Sequence, residues 1–254
     1  IVMLLITVSW NYFSLQRFFT STDHYQFIQK AGDHELLAQQ ATSSIKLLFV
    51  GDMMFDRYIR KMALKYGEDS IFSCIDPLLS KHDFVVGNLE GPITGKPSTS
   101  MDTKVGSPEN YYFTFPTSTA ALLFRHNIKL VSIGNNHINN QKSDGITQTK
   151  KFLSSANVAY FGGLVGDASV YRTVEQGVPL SFVNYNQFGG EKEEMVAATI
   201  ATEKSQGRTV IVYAHWGEEY QDVVLSIRLT AKLFAESGAD LIIGSHPHIV
   251  QSHE

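Results

Sequence analysis

Short apolar runs alternate with segments of helical periodicity from residue 45 onward. Residues 171–186 have the pattern of two strands around a turn that contains Gly177. Five further runs are rich in valine, isoleucine, leucine and phenylalanine, and they occupy residues 45–52, 82–88, 128–135, 208–217 and 240–248. Because these runs are almost continuously apolar, they predict strands that are covered on both faces of their sheet.

Helical patterns separate the predicted strands. In residues 57–67 the apolar positions recur on one face of a helix, and Gly67 follows as a stop signal. Similar patterns predict helices over residues 117–127, 143–157, 191–207 and 224–238. Strands that alternate with helices of this length predict an α/β architecture.

Composition and charge exclude one kind of partner and two kinds of cysteine site. The chain has 254 residues, of which 43% are hydrophobic, and this is enough for one large domain or two small ones. The net charge of -4 does not indicate the basic surface that nucleic-acid binding normally needs, so no nucleic-acid partner is expected. The single cysteine, Cys74, excludes an internal disulfide and a cysteine-rich zinc site.

The first 44 residues lack the alternation of apolar runs and helical patterns seen later in the chain. Residues 1–20 open with an apolar stretch that is shorter than the roughly 20 apolar residues of a membrane-spanning helix. They are interpreted either as the remnant of a membrane anchor or signal segment or as an ordinary amphipathic helix. Residues 21–44 are polar and lack periodicity, which predicts a linker before a domain over residues 45–254.

Five predicted strands end alike, with an apolar run, a small residue and then a side chain that can bind metal. In an open α/β sheet, ligands gather at the carboxyl ends of the strands, so these side chains are expected at one place. The small residues let backbone and ligand approach closely. The side chains concerned are Asp52, Glu90, Asn136, His137, His215, His246 and His248.

The types of these side chains indicate a metal site. Carboxylates, an amide and imidazoles suit manganese, iron or zinc, and the number of candidates allows one divalent ion or two that share a carboxylate. Singly, each has an ordinary explanation: Asp52 as a helix cap, Asn136 as a turn residue, His215 as a packed or surface histidine. Their recurrence at five strand ends makes coincidence the weaker explanation. The His-Pro-His segment is the strongest single signal, because Pro247 stiffens its turn.

The blocks around these residues resemble, in order, those of the bacterial CapA family, which is linked to capsule and poly-gamma-glutamate synthesis. The matching blocks lie within residues 45–251 and read FVGDMMFDR, VVGNLEGPIT, SIGNNHINNQKSDGI, YAHWGEEY and IIGSHPHIVQ. The domain of that family resembles the calcineurin-like metallophosphatases. The resemblance therefore implies a layered α/β/β/α sandwich with its metal site at one edge of the sheets.

The resemblance also implies a role for each matching residue. It makes His137 a general acid, and it gives the metal ligands as Asp52, Glu90, Asn136, His215, His246 and His248. Two departures from the metallophosphatases matter. Met54 stands where they usually carry a histidine, which weakens one metal position, and their second carboxylate is an aspartate in a different signature. The family continues with a further strand, so the C-terminal edge of the sheet is expected to be missing.

A metal-dependent hydrolase is the leading hypothesis, with water activated by one or two divalent ions and an anionic polymer or phosphorylated compound as substrate. Arg57 either holds an anionic group of the substrate or is a solvated cation at the start of a helix. Two alternatives stay open: a non-catalytic membrane accessory of a polymer synthase or export complex, and an amide-bond hydrolase or transferase acting on the polymer. A membrane-anchored, extracytoplasmic location is expected, with a soluble protein as the alternative.

Overall fold

The structure is a computed structural model that describes Leu4–Ser9 and residues 44–252. Its strands are β1 (Leu4–Ser9), β2 (Ser44–Met53), β3 (Phe84–Leu89), β4 (Ile128–Ser132), β5 (Ala159–Phe161), β6 (Val170–Glu175), β7 (Val178–Asn186), β8 (Thr209–His215) and β9 (Leu241–Ser245). Its α-helices are α1 (Arg57–Tyr66), α2 (Asp76–Leu79), α3 (Thr119–Arg125), α4 (Lys142–Ser155), α5 (Glu193–Ser205) and α6 (Leu225–Glu236). Short 3-10 helices span Glu68–Ile71, Pro108–Tyr111, Ile138–Gln141 and Gln187–Gly189.

The strands form two sheets. The first sheet has the order β1-β2-β3-β4-β5, and the second has the order β6-β7-β8-β9. Strands β2 to β5 are parallel, as are β7 to β9, whereas β1 and β6 are antiparallel to their neighbours. Parallel neighbours need long crossover connections, which the helices between them provide.

The two sheets pack face to face, and helices cover their outer faces. The core between the sheets contains Phe49 and Leu130 of the first sheet and Phe182 and Tyr213 of the second. A separate core lies between the first sheet and helices α2, α3 and α4, and another lies between the second sheet and helices α5 and α6. This order of layers confirms the predicted α/β/β/α sandwich.

Strand β2 shows why the apolar runs are continuous. Successive side chains of a strand point to opposite faces. Leu47 and Phe49 therefore enter the core between the sheets, while Leu48 and Val50 enter the core beneath the helices. Both faces are buried, and burying each such side chain stabilises the fold by about 1.5–3 kcal/mol.

The strand pair predicted in residues 171–186 is confirmed as a hairpin. Strands β6 and β7 are antiparallel, and Gln176 and Gly177 join them with φ angles of 50° and 82°. Two positive φ angles in a two-residue loop match the right-handed twist of the flanking strands. The sequence pattern misses β5 and α2, because elements of three and four residues are too short to show periodicity.

The predictions for the beginning of the chain are partly outside the described residues. Leu4–Ser9 form a strand antiparallel to β2, from Leu4↔Phe49 to Ser9↔Ser44, so an amphipathic helix is wrong for these six residues. Residues 10–43, which include nearly all of the predicted linker, lie outside the described residues. In the part of the chain that is described, no helix has the length and apolar character to cross a membrane.

Candidate metal centre

The side chains singled out from the sequence lie at the carboxyl ends of five strands. Three of these strands belong to the first sheet and two to the second, so both sheets build the same edge. Asp52 lies within the end of β2, and His215 is the last residue of β8. The others follow a strand end closely: Glu90 after β3, Asn136 and His137 after β4, and His246 and His248 after β9.

Glu90, His246 and His248 converge, with one potential ligand atom from each within 4.8 Å of the others. The Glu90 Oε1 and His246 Nδ1 atoms are buried and have no hydrogen-bond partner within the described residues. Leaving a buried polar atom unpaired costs about 1–3 kcal/mol. The donor set, a carboxylate and two imidazoles, fits a divalent ion that would satisfy such atoms.

Asp52, His215 and Asn136 form a second group beside this triad. The Oδ2 atom of Asp52 is 3.6 Å from His248 Nδ1, and its Oδ1 atom is 3.8 Å from His215 Nδ1. The Nε2 atom of His215 lies 3.0 Å from Asn136 Oδ1, at hydrogen-bond distance. Asp52 therefore faces the triad with one oxygen and His215 with the other, so it could serve ions held by either group. His215 would have to exchange its bond to Asn136 to bind an ion through Nε2.

The Glu90 carboxyl has an unusual protonation equilibrium. Burial, followed by the negative charges of Asp52 and Glu219, raises its pKa to about 9. Without a bound metal ion, this carboxyl is therefore neutral at pH 7. A divalent cation would favour its ionised form, because a nearby opposite charge lowers the pKa of a carboxyl group.

The histidines of the site are shifted towards the neutral form. Burial lowers the pKa of His215 well below its usual value, and neighbouring imidazoles lower it further. Burial is also the main cause of the lowered pKa values of His246 and His137. A neutral imidazole is the form that binds metal, so the surroundings prepare His215 and His246 as ligands.

Two buried asparagines outside the predicted ligand set position Asp52 through hydrogen bonds. Asn88 Nδ2 donates to Asp52 Oδ1 at 2.7 Å, and Asn135 Nδ2 donates to Asn88 Oδ1 at 3.0 Å. Ser245 supports the other side, with its Oγ atom 3.0 Å from His215 Nδ1. Each asparagine follows an apolar run and a glycine, as do several of the candidate ligands. The strand-end pattern itself could therefore have found both.

The turn that carries His246 and His248 has a rare backbone conformation. Their φ angles are 95° and 55°, in the region that favours glycine. The structure holds the turn from two sides: His246 N donates to Asp52 Oδ2 at 2.9 Å, and Tyr220 N donates to the Pro247 carbonyl at 2.8 Å. Unfavourable backbone geometry of this kind persists where surrounding contacts impose it, and it clusters at functional sites.

A cavity of about 170 Å³ opens next to the triad. His137 lies in its wall, with its ring centroid 4.2 Å from that of Phe113 and its Nδ1 atom 3.1 Å from Asn140 Oδ1. Met54, at the place of the usual histidine, is also part of the wall. The complete lining is Met54, Arg57, Glu90, Val105, Asn110, Tyr111, Phe113, His137, Glu219, Tyr220 and His248.

The ordinary explanation of Asp52 as a helix cap is wrong. Helix α1 is capped by Asp56, whose side chain accepts a hydrogen bond from Arg57 N at 3.0 Å. Asp52 instead accepts from Asn88 and from the backbone of His246, both at the carboxyl ends of other strands. Its contacts belong to the candidate metal centre.

The fold and the donor set together define a class of protein. A sandwich of α/β/β/α layers, with carboxylate, amide and imidazole groups at one edge of its sheets, is metallophosphatase-like. Within this class, a family model described as "Bacterial capsule synthesis protein PGA_cap" matches residues 46–254, and the chain belongs to this family.

Two curated relatives are similar to most of the chain. It is 25% identical over 238 residues to "Capsule biosynthesis protein CapA" of Bacillus anthracis, covering 83% of the chain and 56% of the relative. It is 27% identical over 227 residues to "PGA biosynthesis protein CapA" of Bacillus subtilis (strain 168), covering 81% of the chain and 58% of the relative. The chain thus spans little more than half the length of these relatives.

Proposed function

We propose that this protein is a metal-dependent hydrolase of phosphoesterase type that acts in the synthesis of a bacterial capsule or poly-gamma-glutamate. The observation that carries the proposal is the triad of Glu90, His246 and His248. Two of its buried polar atoms lack hydrogen-bond partners within the described residues, and one potential ligand atom from each side chain lies within 4.8 Å of the others.

The residues of the triad would hold the first ion. Asp52, His215 and Asn136 would hold a second ion, if two ions bind. Manganese, iron and zinc all suit this mixed set of oxygen and nitrogen donors. When bound, such an ion supplies Lewis-acid polarisation of the substrate and a nucleophilic water near neutral pH.

The chain itself provides positioning and a proton. Asn88 and the backbone of His246 hold both oxygens of Asp52, so this carboxylate keeps a fixed orientation. His137 lies in the wall of the cavity, against Phe113, where it would donate a proton to the leaving group. Its lowered pKa makes the protonated form scarcer at neutral pH and a stronger acid where it forms.

Metal content and hydrolysis measured on the same samples test this proposal. We expect purified protein to contain a transition metal and to hydrolyse bis(p-nitrophenyl) phosphate. Glu90→Gln should lose both the metal and the activity. Glu236→Gln is the matched control, because Glu236 is an exposed residue of α6 that pairs with exposed Lys232. Wild-type protein that is folded but binds no metal would refute the proposal.

The role in polymer synthesis is tested in cells. The names of the two relatives, which refer to capsule and PGA biosynthesis, motivate it. An anionic polymer or phosphorylated substrate, membrane-embedded synthase subunits as partners and an extracytoplasmic, membrane-anchored location are parts of the same proposal. A strain that makes polymer with folded, metal-free Glu90→Gln protein would favour a non-catalytic accessory. Activity on amide bonds and not on phosphodiesters would instead favour an amide hydrolase or transferase.

A further inference from the structure

Arg57 turns its guanidinium group into the cavity beside the candidate metal centre. It is the first residue of α1, and it shares the cavity wall with Glu90, His137 and His248. The positive charge of Arg57 acts to lower the pKa of both Glu90 and His137. Of the two interpretations drawn from the sequence, a solvated cation at a helix start does not describe this position.

The guanidinium group is fixed in place. Its Nε atom donates to the Asn110 carbonyl at 2.7 Å, and its Cζ atom lies 4.8 Å and 4.6 Å from the ring centroids of Tyr111 and Phe113. Asn110 is itself buried, and its Nδ2 atom donates to Thr103 Oγ1 at 3.1 Å. A planar cation held by aromatic rings loses little freedom when a ligand binds.

The backbone at Arg57 is also strained. Its φ angle is 52°, in the left-handed region that a long side chain seldom adopts. The preceding Asp56 is fully buried and accepts hydrogen bonds from Arg57 N and from Thr114 N, which fixes the start of the helix in this conformation. The strained residue is thus the one whose side chain lines the cavity.

One edge of the guanidinium group has unused donors. The Arg57 Nη2 atom is buried, and neither a hydrogen bond nor an ion pair to it is found among the described residues. Arg172 gives the contrast, since both its Nε and Nη2 atoms donate to Glu203. A buried guanidinium nitrogen without a partner lacks the compensation that buried charged groups normally have.

The acidic residues of the cavity do not fill this edge. Glu90 and Glu219 line the same cavity, yet within the described residues neither comes within 4.0 Å of the guanidinium nitrogens. In the proposed function the Glu90 carboxylate is directed to the ion. The donors of Arg57 Nη2 thus have no partner within the described residues, and a ligand that enters the cavity would supply one.

We propose that Arg57 forms an oxyanion-binding subsite, so that the substrate carries a carboxylate or phosphate group recognised by this residue next to the bond that is cleaved. The planar fork of a guanidinium group matches both oxyanions, and charge-assisted hydrogen bonds of this kind are strong. The inference rests on the proposed function only in calling the ligand a substrate. Binding of the oxyanion is a property of this chain that can be measured separately.

The test is a calorimetric titration with inorganic phosphate and, separately, with glutarate, each on metal-free and on metal-loaded protein. We expect at least one of the two anions to bind the wild type, and Arg57→Gln to weaken that binding by about tenfold or more. Arg57→Lys should recover only part of the affinity, because it keeps the charge without the fork. Arg125→Gln is the matched control, since it removes the same charge from an exposed arginine that pairs with Asp69.

Each outcome separates this subsite from the metal centre. Unchanged anion affinity in folded Arg57→Gln, or no binding of either anion by the wild type, would overturn the subsite. A wild type that binds an anion through Arg57 but takes up no metal would support the subsite and refute the proposed hydrolase. If Arg57→Gln does not fold, Tyr111→Ala replaces it, because loss of one supporting ring should also weaken anion binding. The better of the two anions identifies the group on the substrate.

Discussion

Glu90 shows how one side chain ties stability to metal binding. Its carboxyl is buried, and one of its oxygens has no hydrogen-bond partner among the described residues. Its pKa of about 9 means that at neutral pH the folded protein keeps a proton that the unfolded chain has lost. Between the ordinary pKa of about 4.5 and this raised value, the folded state binds more protons than the unfolded state. The free energy of unfolding of the metal-free protein therefore falls as pH rises through this window.

A substitution at Glu90 separates the two effects. With a chelator present, we expect Glu90→Gln to be more stable than the wild type at pH 8 by at least about 1 kcal/mol, because each pKa unit is worth about 1.4 kcal/mol. Saturating divalent metal should reverse the order by stabilising the wild type alone. Thermal unfolding at pH 5 and pH 8, with Glu236→Gln as control, measures both. Parallel pH profiles for wild type and variant would contradict the assignment.

His137 gives a second residue-scale prediction. If it protonates the leaving group, its removal should matter most for poor leaving groups. We expect His137→Ala to lower kcat about 10²–10⁴-fold on an alkyl phosphodiester but far less on the p-nitrophenyl ester, whose leaving group needs little protonation. Steady-state kinetics on both esters give the ratio, with metal content as the control. An equal loss on both would show that His137 only shapes the cavity.

Much of the candidate site was predictable residue by residue. A small residue after an apolar run marks a strand end, and this rule selected side chains that the structure brings to one edge. It missed Asn88 and Asn135, although both follow the same signal. Glu219 could not be found in this way, because it belongs to a loop whose position depends on the second sheet. The two interpretations of Arg57 also differed only in tertiary contacts.

At the scale of elements, helix α5 is joined to the second sheet by one buried carboxylate. Glu203 is fully buried and accepts hydrogen bonds from Arg172 Nε at 2.8 Å on β6 and from Ser181 Oγ at 2.6 Å on β7. The Arg172 guanidinium, first among several causes, lowers the pKa of Glu203. The pairing therefore stabilises the fold at neutral pH, and this contribution is lost as pH falls through the lowered pKa.

Removing this carboxylate should weaken the attachment of α5 to the second sheet and leave the candidate metal centre unchanged. We expect Glu203→Ala to lower the free energy of unfolding by about 2 kcal/mol, less than for a fully buried pair, because the Arg172 side chain is half exposed. Urea unfolding at pH 7 measures the loss, and the difference from wild type should shrink at pH 3. Metal affinity should be unchanged. A variant as stable as Glu236→Ala would show that the pairing contributes nothing.

The elements themselves were largely predictable, since buried parallel strands produce continuous apolar runs and glycines stop the helices. Strand β5 was missed because Ala159–Phe161 is three residues long. Leu4–Ser9 form a strand because β2 offers them a partner edge, and such long-range pairing leaves no periodic signal in a short apolar stretch. Local pattern is decisive only where an element is long enough to repeat it.

The two halves of the candidate metal centre meet only if the two sheets are correctly positioned against each other. Tyr213, on β8 of the second sheet, is buried and its hydroxyl donates to the carbonyl of Val50 on β2 of the first. Asp52 comes two residues after Val50, so this bond holds the strand that carries Asp52 against the strand that carries His215. The layer order was predictable from family resemblance, whereas this registration between sheets was not, because no local pattern encodes it.

Deleting this hydroxyl tests the registration. We expect Tyr213→Phe to lower the free energy of unfolding by about 1–2 kcal/mol, because the buried carbonyl of Val50 loses its side-chain donor. Metal affinity should also fall, since the two halves of the site are less firmly aligned. Chemical denaturation and metal titration measure the two effects, with exposed Tyr66→Phe as the control. Reduced stability with unchanged metal affinity would show that the site tolerates movement between the sheets.

The triad draws one ligand from the first sheet and two from the second, and these ligands are far apart in the chain. During synthesis on the ribosome, Glu90 emerges long before His246 and His248. The first sheet can therefore never assemble the triad by itself, however well it folds. Binding of an ion by all three side chains would therefore require that the second sheet has been synthesised and has packed against the first. Such an ion would stabilise the completed domain and not a partly synthesised chain.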